Sequence, residues 1–332
     1  MWTNELIHIP SSKTAMNELS FIADLIGMLI NCRHIILFKH FDKDYDFDAI
    51  SILQSIGADV LFYEDDAELD KLTATKAILY NTNYIRLNIP TIYYSYGNYD
   101  KTNTCDTIIS ASKYNSIKYK LDDSILIIPP AVNTRALIGH IKPTTQFTVG
   151  VVSEGRDKYP KELILELISK IPKDIILAVS FPPNYSEPDV IEAIRKHKNV
   201  ITYPVKFMAG LYHISHCDIV IYGTSSTYDP VYSRTVIESM AFGKPVICED
   251  RGCFRQLFQH EENIMFYKSV DDICRYIDRF KNDKTFYNKI SKTSQIRASW
   301  EDISVYAEAL RQMVRETYSG KSNINNREGI NP

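Results

Sequence analysis

"SRTVIESMAFGKPVICED", Ser233 to Asp250, reads as a capped helix that runs straight into a buried strand. Ser233 offers the side-chain oxygen that a helix amino terminus needs, and Gly243 followed by Pro245 stops the helix. "PVICED" is a short apolar run of the kind found in a strand covered on both faces. The helix carries a single acid, Glu238, set among Ile237, Met240 and Phe242. A carboxylate in such company needs hydrogen-bond or ionic partners, so Glu238 poses the first chemical question.

The same alternation extends in both directions. Upstream in the second half stand "FTVGVVS", helix "PKELILELISKI", "DIILAVS", helix "PDVIEAIRKH", "VITYPV", helix "FMAGLYHIS" and "CDIVIYG", and helices follow from about Val270. The first half gives "LIHI", "HIILF", "ADVLFY", "KAILY", "PTIYYS", "DTIISAS" and "ILIIPPAV", with helical stretches "AMNELSFIADLIGMLI" and "FDAISILQSIG" between the early strands. Apolar runs of this length between amphipathic helices predict an α/β protein with parallel sheets, in two Rossmann-like units. The polar stretch "HIKPTTQF" separates them, giving domains over 1–142 and 143–318, with the final helices able to pack back on the first. The tail 319–332 is polar and lacks periodicity, which predicts disorder. Two facing units would enclose a cleft beyond the carboxyl ends of the strands, where ligands of doubly wound sheets bind.

Bulk composition narrows the classes. A chain of 332 residues with 45% hydrophobic and 24% charged residues fits two ordinary globular domains. With 38 basic against 41 acidic residues, the net charge of -3 argues against a non-specific nucleic-acid coat but leaves room for a local basic cleft. Six cysteines without a CxxC pair fit neither a disulfide framework nor a zinc site, which points to a reducing, cytoplasmic compartment. The longest apolar stretch, "LSFIADLIGMLI", is broken by Asp24 and is too short to span a bilayer, although peripheral membrane contact stays compatible. "FDKDYDFD" carries Asp42, Asp44, Asp46 and Asp48 but lacks the glycine and the final acid of a calcium loop. His213, His216 and Cys217 have no fourth ligand at metal spacing and read as packing.

Five stretches occur in a fixed order: "DTIISASKYN", "ILIIPPAVNT", "VGVVSEGRDKYPKELILELI", "LYHISHCDIVIYGTSS" and "VIESMAFGKPVICEDRGCFRQLF". Together they resemble the retaining GT-B glycosyltransferases of the glycosyl transferases group 1, typified by bacterial glycosyl- and mannosyltransferases. The resemblance implies the GT-B fold, a first domain for an acceptor and a second for a nucleotide-sugar donor. It implies transfer of a hexosyl group from a UDP- or GDP-linked sugar with retention at the anomeric carbon, and no metal or other cofactor. The acceptor to expect is a glycan, a lipid-linked sugar or, as a minority case, a modified DNA base. The first seventy residues match poorly, and the usual glycine pair is absent from "IPSSKTAMNE".

The residues themselves suit such chemistry. Arg156 and Lys161 bracket the end of the second domain's first strand and the start of the next helix. Two cations and a helix amino terminus at one strand end can neutralise a diphosphate leaving group. A solvated basic turn, including Lys158, is the structural alternative. The amides near Arg234 and Thr235 open the opening-stretch helix and can receive a phosphate. The resemblance gives Glu238 the ribose hydroxyls, while a structural ion pair with a nearby Arg or Lys is the other reading. The family pattern is Glu, seven residues, Glu, and counting back from Glu238 lands on Pro230 rather than an acid. Asp229 stands beside it as a candidate sugar contact, with the Tyr228 and Thr227 hydroxyls as alternatives and a plain turn as the structural one. The family often places a His after the strand in "IPTIYYSYGNYD", where this chain has Ser95 and Tyr96. Tyr96 is therefore a candidate catalytic-site residue or simple lining. These departures keep two other functions in view: a nucleotide-sugar-binding protein with altered catalysis, and a nucleotide-sugar epimerase.

Overall fold

The computed structural model describes residues 4–9, 21–24, 26, 32–39, 53–63, 68, 76–80, 91–95, 105, 107–121, 125–137, 145–153, 159–181, 187–204 and 209–309. The chain divides into two compact units, residues 1–133 with 302–332, and residues 134–301.

Among the described residues, the first unit is built on seven strands: β1 (Asn4–Ile9), β2 (Cys32–Lys39), β3 (Ala58–Tyr63), β4 (Lys76–Tyr80), β5 (Thr91–Ser95), β6 (Thr107–Ser110) and β7 (Leu126–Ile127). All pair in parallel, in the order β3-β2-β1-β4-β5-β6-β7. Leu6, Ile7, Ile9, Ile36, Ile92 and Tyr93 are buried along the middle strands, as a two-sided parallel sheet demands. The short helix α1 (Lys113–Lys118) starts where Ser112 Oγ accepts the Asn115 amide at 3.0 Å. Ile303 donates its amide to the Val132 carbonyl at 2.9 Å, so the segment after Glu301 belongs with this unit.

The second unit contains α2 (Thr134–Leu137), β8 (Thr148–Val152), α3 (Lys161–Lys170), β9 (Ile176–Phe181), α4 (Pro188–Lys196), β10 (Val200–Pro204), α5 (Ala209–Ser215) and β11 (Ile219–Tyr222). It continues through α6 (Arg234–Ala241), β12 (Val246–Glu249), α7 (Phe254–Leu257), β13 (Met265–Tyr267), α8 (Val270–Asn282) and α9 (Lys284–Ser299). Among the described residues, its six strands are parallel in the order β10-β9-β8-β11-β12-β13. That is the order 3-2-1-4-5-6 of a dinucleotide-type doubly wound sheet, with the reversal between β8 and β11.

Side-chain alternation assigns the faces. Val149, Val151, Leu177, Val179, Ile219 and Ile221 share a core with Ile164 and Leu167 of α3 and with Ile273 and Ile277 of α8. Gly150, of opposite parity, lies under α5 instead: a Cβ there would sit 2.6 Å from Cys217 Sγ and 3.5 Å from His213 Nε2. The opening stretch folds as its chemistry requires. Ser233 caps α6 by accepting the Val236 amide. Gly243 then adopts φ +70°, and the amides of Gly243 and Lys244 return to the carbonyls of Met240 and Ser239 at 2.9 and 3.0 Å. This is a Schellman termination, and β12 begins two residues later.

Candidate functional site

In a doubly wound sheet the ligand crevice lies at the carboxyl ends of the strands, where the strand order reverses. In the second unit those ends belong to β8 and β11, joined by the Gly223 amide donating to the Val152 carbonyl at 3.1 Å. A side chain at Gly223 would sit 2.6 Å from Leu163 Cδ2 and 3.1 Å from Pro160 Cγ. Its absence lets the start of α3 close onto the end of β11.

Lys161 is the first residue of α3, so it stands at this same strand end. A cation at a helix amino terminus is at the unfavourable pole of the helix dipole and calls for an anion. Here its Nζ lies 2.7 Å from Glu187 Oε2 and 3.0 Å from Asp189 Oδ2, both at the start of α4. Hydrogen bonds to Glu187, then to Asp189, raise the ammonium above its ordinary range, and Lys161 in turn lowers Asp189. The partner proposed for it by sequence, Arg156, and the neighbouring Lys158 lie outside the described residues.

Glu238 sits one turn into α6, half-buried, with its Oε1 3.4 Å from Nε of Arg234. The side chains are 13% and 3% exposed respectively. Arg234, singled out for its backbone amide, thus also brings its guanidinium to Glu238, the ion pair that the structural reading of this carboxylate expects. The i,i+4 spacing was the available signal. Thr235 shares the first turn and its carbonyl accepts Ser239 Oγ at 2.7 Å.

The segment after β11 is fastened to the segment after β12. Arg251 Nη2 donates to the Thr224 carbonyl (3.1 Å), Thr224 Oγ1 (2.7 Å) and the Ser225 carbonyl (2.9 Å). Its Nη1 donates to the Ser226 carbonyl at 3.1 Å, and its Nε pairs with Glu249. Glu249 ends β12 and is in register with Tyr267, whose phenol is pushed up by burial and by the Glu249 carboxylate. Further along, the Cys253 amide donates to the Pro230 carbonyl at 2.9 Å. Gly252 has φ +61°, and a Cβ on it would lie 2.3 Å from the Pro230 oxygen. Asp229, partly buried, stands directly before that fastening. Sequence reasoning missed Arg251 altogether. The one trace was an arginine followed by glycine just past a strand end.

The remaining candidates separate. Tyr96 and the acids Asp42, Asp44, Asp46 and Asp48 lie outside the described residues, as does the tail 319–332. Ser95 is buried, and its carbonyl and hydroxyl accept from Asn115 Nδ2 at 3.1 and 3.0 Å. His213 Nε2 donates to the Ala178 carbonyl at 3.1 Å, Cys217 Sγ to the His213 carbonyl at 3.2 Å, and His216 Nδ1 to the Tyr212 carbonyl at 2.7 Å. His213 and Cys217 therefore seat α5 on the sheet, while His216 closes on the last turn of α5 itself. Among the described residues, no helix is long and apolar enough to cross a membrane.

Comparison with solved structures follows the architecture. A glycosyltransferase from Rickettsia africae superposes with TM-score 0.73 at 11% identity, covering 96% of this chain and 99% of that one. HepE from Anabaena, crystallised with UDP-glucose, gives TM-score 0.74 at 13% identity, covering 96% and 100%. TarM from S. aureus gives 0.68 at 10% identity, covering 96% and 100%. The chain has the GT-B fold. Within its GT-B fold, residues 190–297 match the model of the glycosyl transferases group 1. That segment runs from α4 to α9 and contains Asp229, Arg234, Glu238 and Arg251. It is the group that the ordered motifs resemble. No curated protein matches the sequence.

Proposed function

We propose that this GT-B protein is a retaining glycosyltransferase that moves a hexosyl group from a nucleoside-diphosphate sugar to an acceptor. The observation that carries the reading is Glu238. It is a half-buried carboxylate one turn inside a Ser233-capped helix, within the segment matched by the glycosyl transferases group 1. In this scheme Glu238 accepts from the ribose hydroxyls and the first-turn amides at Arg234 and Thr235 meet a phosphate. Lys161 and Arg156 neutralise the diphosphate as the glycosidic bond to it breaks. Lys161 already faces anions, and the diphosphate replaces or joins the Glu187 and Asp189 carboxylates. Asp229 is assigned to the sugar. The scheme uses no metal. HepE and the pneumococcal O-GlcNAc transferase GtfA, two structural neighbours, were crystallised with UDP-containing ligands, which favours UDP over GDP as the first nucleotide to test. The acceptor is a glycan or lipid-linked sugar met by the first unit.

Isothermal titration with UDP and GDP tests the donor site. Glu238→Ala should weaken the bound nucleotide by about tenfold or more, since a hydrogen bond to a charged group contributes about 1.5–3 kcal/mol. Unchanged affinity in that variant removes the assignment. The presence of Pro230 at the family's acid position favours a second reading, a nucleotide-sugar-binding protein without transfer. Binding of UDP-glucose with neither hydrolysis nor transfer would select it.

A further inference from the structure

The loop from Thr224 to Pro230 is held at both ends by one short segment, and Asp229 lies inside the hold. At the first end Arg251 binds three successive residues, Thr224, Ser225 and Ser226, through four contacts of 2.7–3.1 Å. At the second, the Cys253 amide fixes the Pro230 carbonyl and Gly252 leaves no room for any other residue. Only Thr227, Tyr228 and Asp229 stand between the fastenings, and the Tyr228 amide closes a turn on the Ser225 carbonyl at 3.0 Å.

A guanidinium presents five N–H donors in one rigid plane, so acceptors gathered around it are fixed in angle as well as distance. Glu249 occupies the Nε edge and thereby orients the Nη edge toward the loop. A lysine ammonium has neither the plane nor the reach to repeat this. The chain also departs from its relatives here: Pro230 takes the acid position, and the nearest carboxylate sits one residue earlier. Arg251 fixes the start of the loop that carries Asp229, its last contact falling three residues ahead of that carboxylate.

We infer that Arg251, oriented by Glu249, is a positioning residue that sets Asp229 against the donor sugar. This rests on the donor reading above. Arg251 touches no substrate in this scheme; it acts through the loop. A displacement of about 1 Å at a reacting centre can cost about a hundredfold in rate, so loss of the clamp should fall on turnover. Nucleotide affinity depends on Glu238 and Lys161, which Arg251 does not contact, and should persist.

The test compares wild type, Arg251→Ala, Arg251→Lys, Asp229→Asn and the double variant Arg251→Ala/Asp229→Asn in the full chain. UDP affinity is read by titration. Turnover is read as hydrolysis of UDP-glucose, UDP-N-acetylglucosamine and GDP-mannose, using the fastest of these with wild type. The expected result is UDP affinity within about threefold of wild type for both Arg251 variants, with kcat down by about tenfold or more. The double variant should be no slower than its worse single, because two residues acting as one unit are non-additive. Multiplying effects, or an Arg251→Ala enzyme as fast as wild type, overturns the inference. So does parallel loss of UDP binding and thermal stability in both Arg251 variants, which marks a purely structural clamp. If wild type binds UDP but turns over none of the three sugars, the positioning role falls while the donor site stands. If wild type binds neither UDP nor GDP, the donor reading falls and this inference with it.

Discussion

At the scale of single residues, two buried or paired groups make opposite use of charge. Lys161 is a cation at a helix start that has recruited two carboxylates, and these compete for the position assigned to the diphosphate. Replacing them in a Glu187→Gln/Asp189→Asn variant should tighten UDP binding by about two- to fivefold, the range that exposed ion pairs reach. Titration at low and high salt checks it, and weaker binding would mean the acids hold Lys161 in place for the ligand. His213 is the reverse case, a residue kept neutral. Its Nε2–H donates to the Ala178 carbonyl and its ring stacks on Tyr203 with centroids 4.4 Å apart. Burial lowers its pKa to about 4. The folded value lies below the unfolded value of about 6.5, so the unfolded chain takes up the proton first. Stability from this group is complete above about pH 6.5 and is lost as pH falls toward about 4. Urea unfolding should show about 2 kcal/mol less stability at pH 5 than at pH 7 from this source, a difference missing in His213→Phe.

At the scale of elements, the helix α6 and the turn after β12 show what a sequence can and cannot disclose. Ser233, Gly243 and Pro245 carry their meaning locally, because capping and left-handed backbone are properties of the residue itself. The helix and its following strand were accordingly legible from the chain alone. Ser233→Ala should cost about 1 kcal/mol by thermal unfolding. Gly243→Ala should cost about 1–2 kcal/mol through its positive φ, with the side chains of Gln295 and Ser291 to displace. Gly252→Ala should be worse than either, since its Cβ meets a backbone oxygen that is itself hydrogen-bonded. Equal losses at Gly243 and Gly252 would show that the turn after β12 can relax. The partners of Lys161 were not legible, because Glu187 is 26 residues away and arrives only through the β8–β9 pairing. The acceptors of Arg251 were less so. Three of its four loop contacts go to backbone carbonyls, which no side-chain pattern can reveal.

At the scale of the molecule, two parallel sheets share the same reversal of strand order. Both were legible as alternating apolar runs, because strands buried on both faces must be apolar throughout. The candidate donor residues were legible in the second unit, where three of the five ordered motifs lie and where the segments after β11 and β12 are described. In the first unit the opening seventy residues match the family pattern poorly, so no residue there names the acceptor. The asymmetry has a measurable consequence. If the donor site belongs to residues 134–301, hydrogen exchange with and without saturating UDP should slow most in that unit. Protection should concentrate at the start of α3 and across residues 224–238, where the Arg251 fastening and the first turn of α6 lie. The sheet β1–β7 should change little with nucleotide alone. Glu238→Ala should erase the protection at the same UDP concentration, because the tightening is bound to nucleotide occupancy. Protection centred on β1–β7 instead would move the donor site to the first unit and undo the roles of Lys161 and Glu238 together.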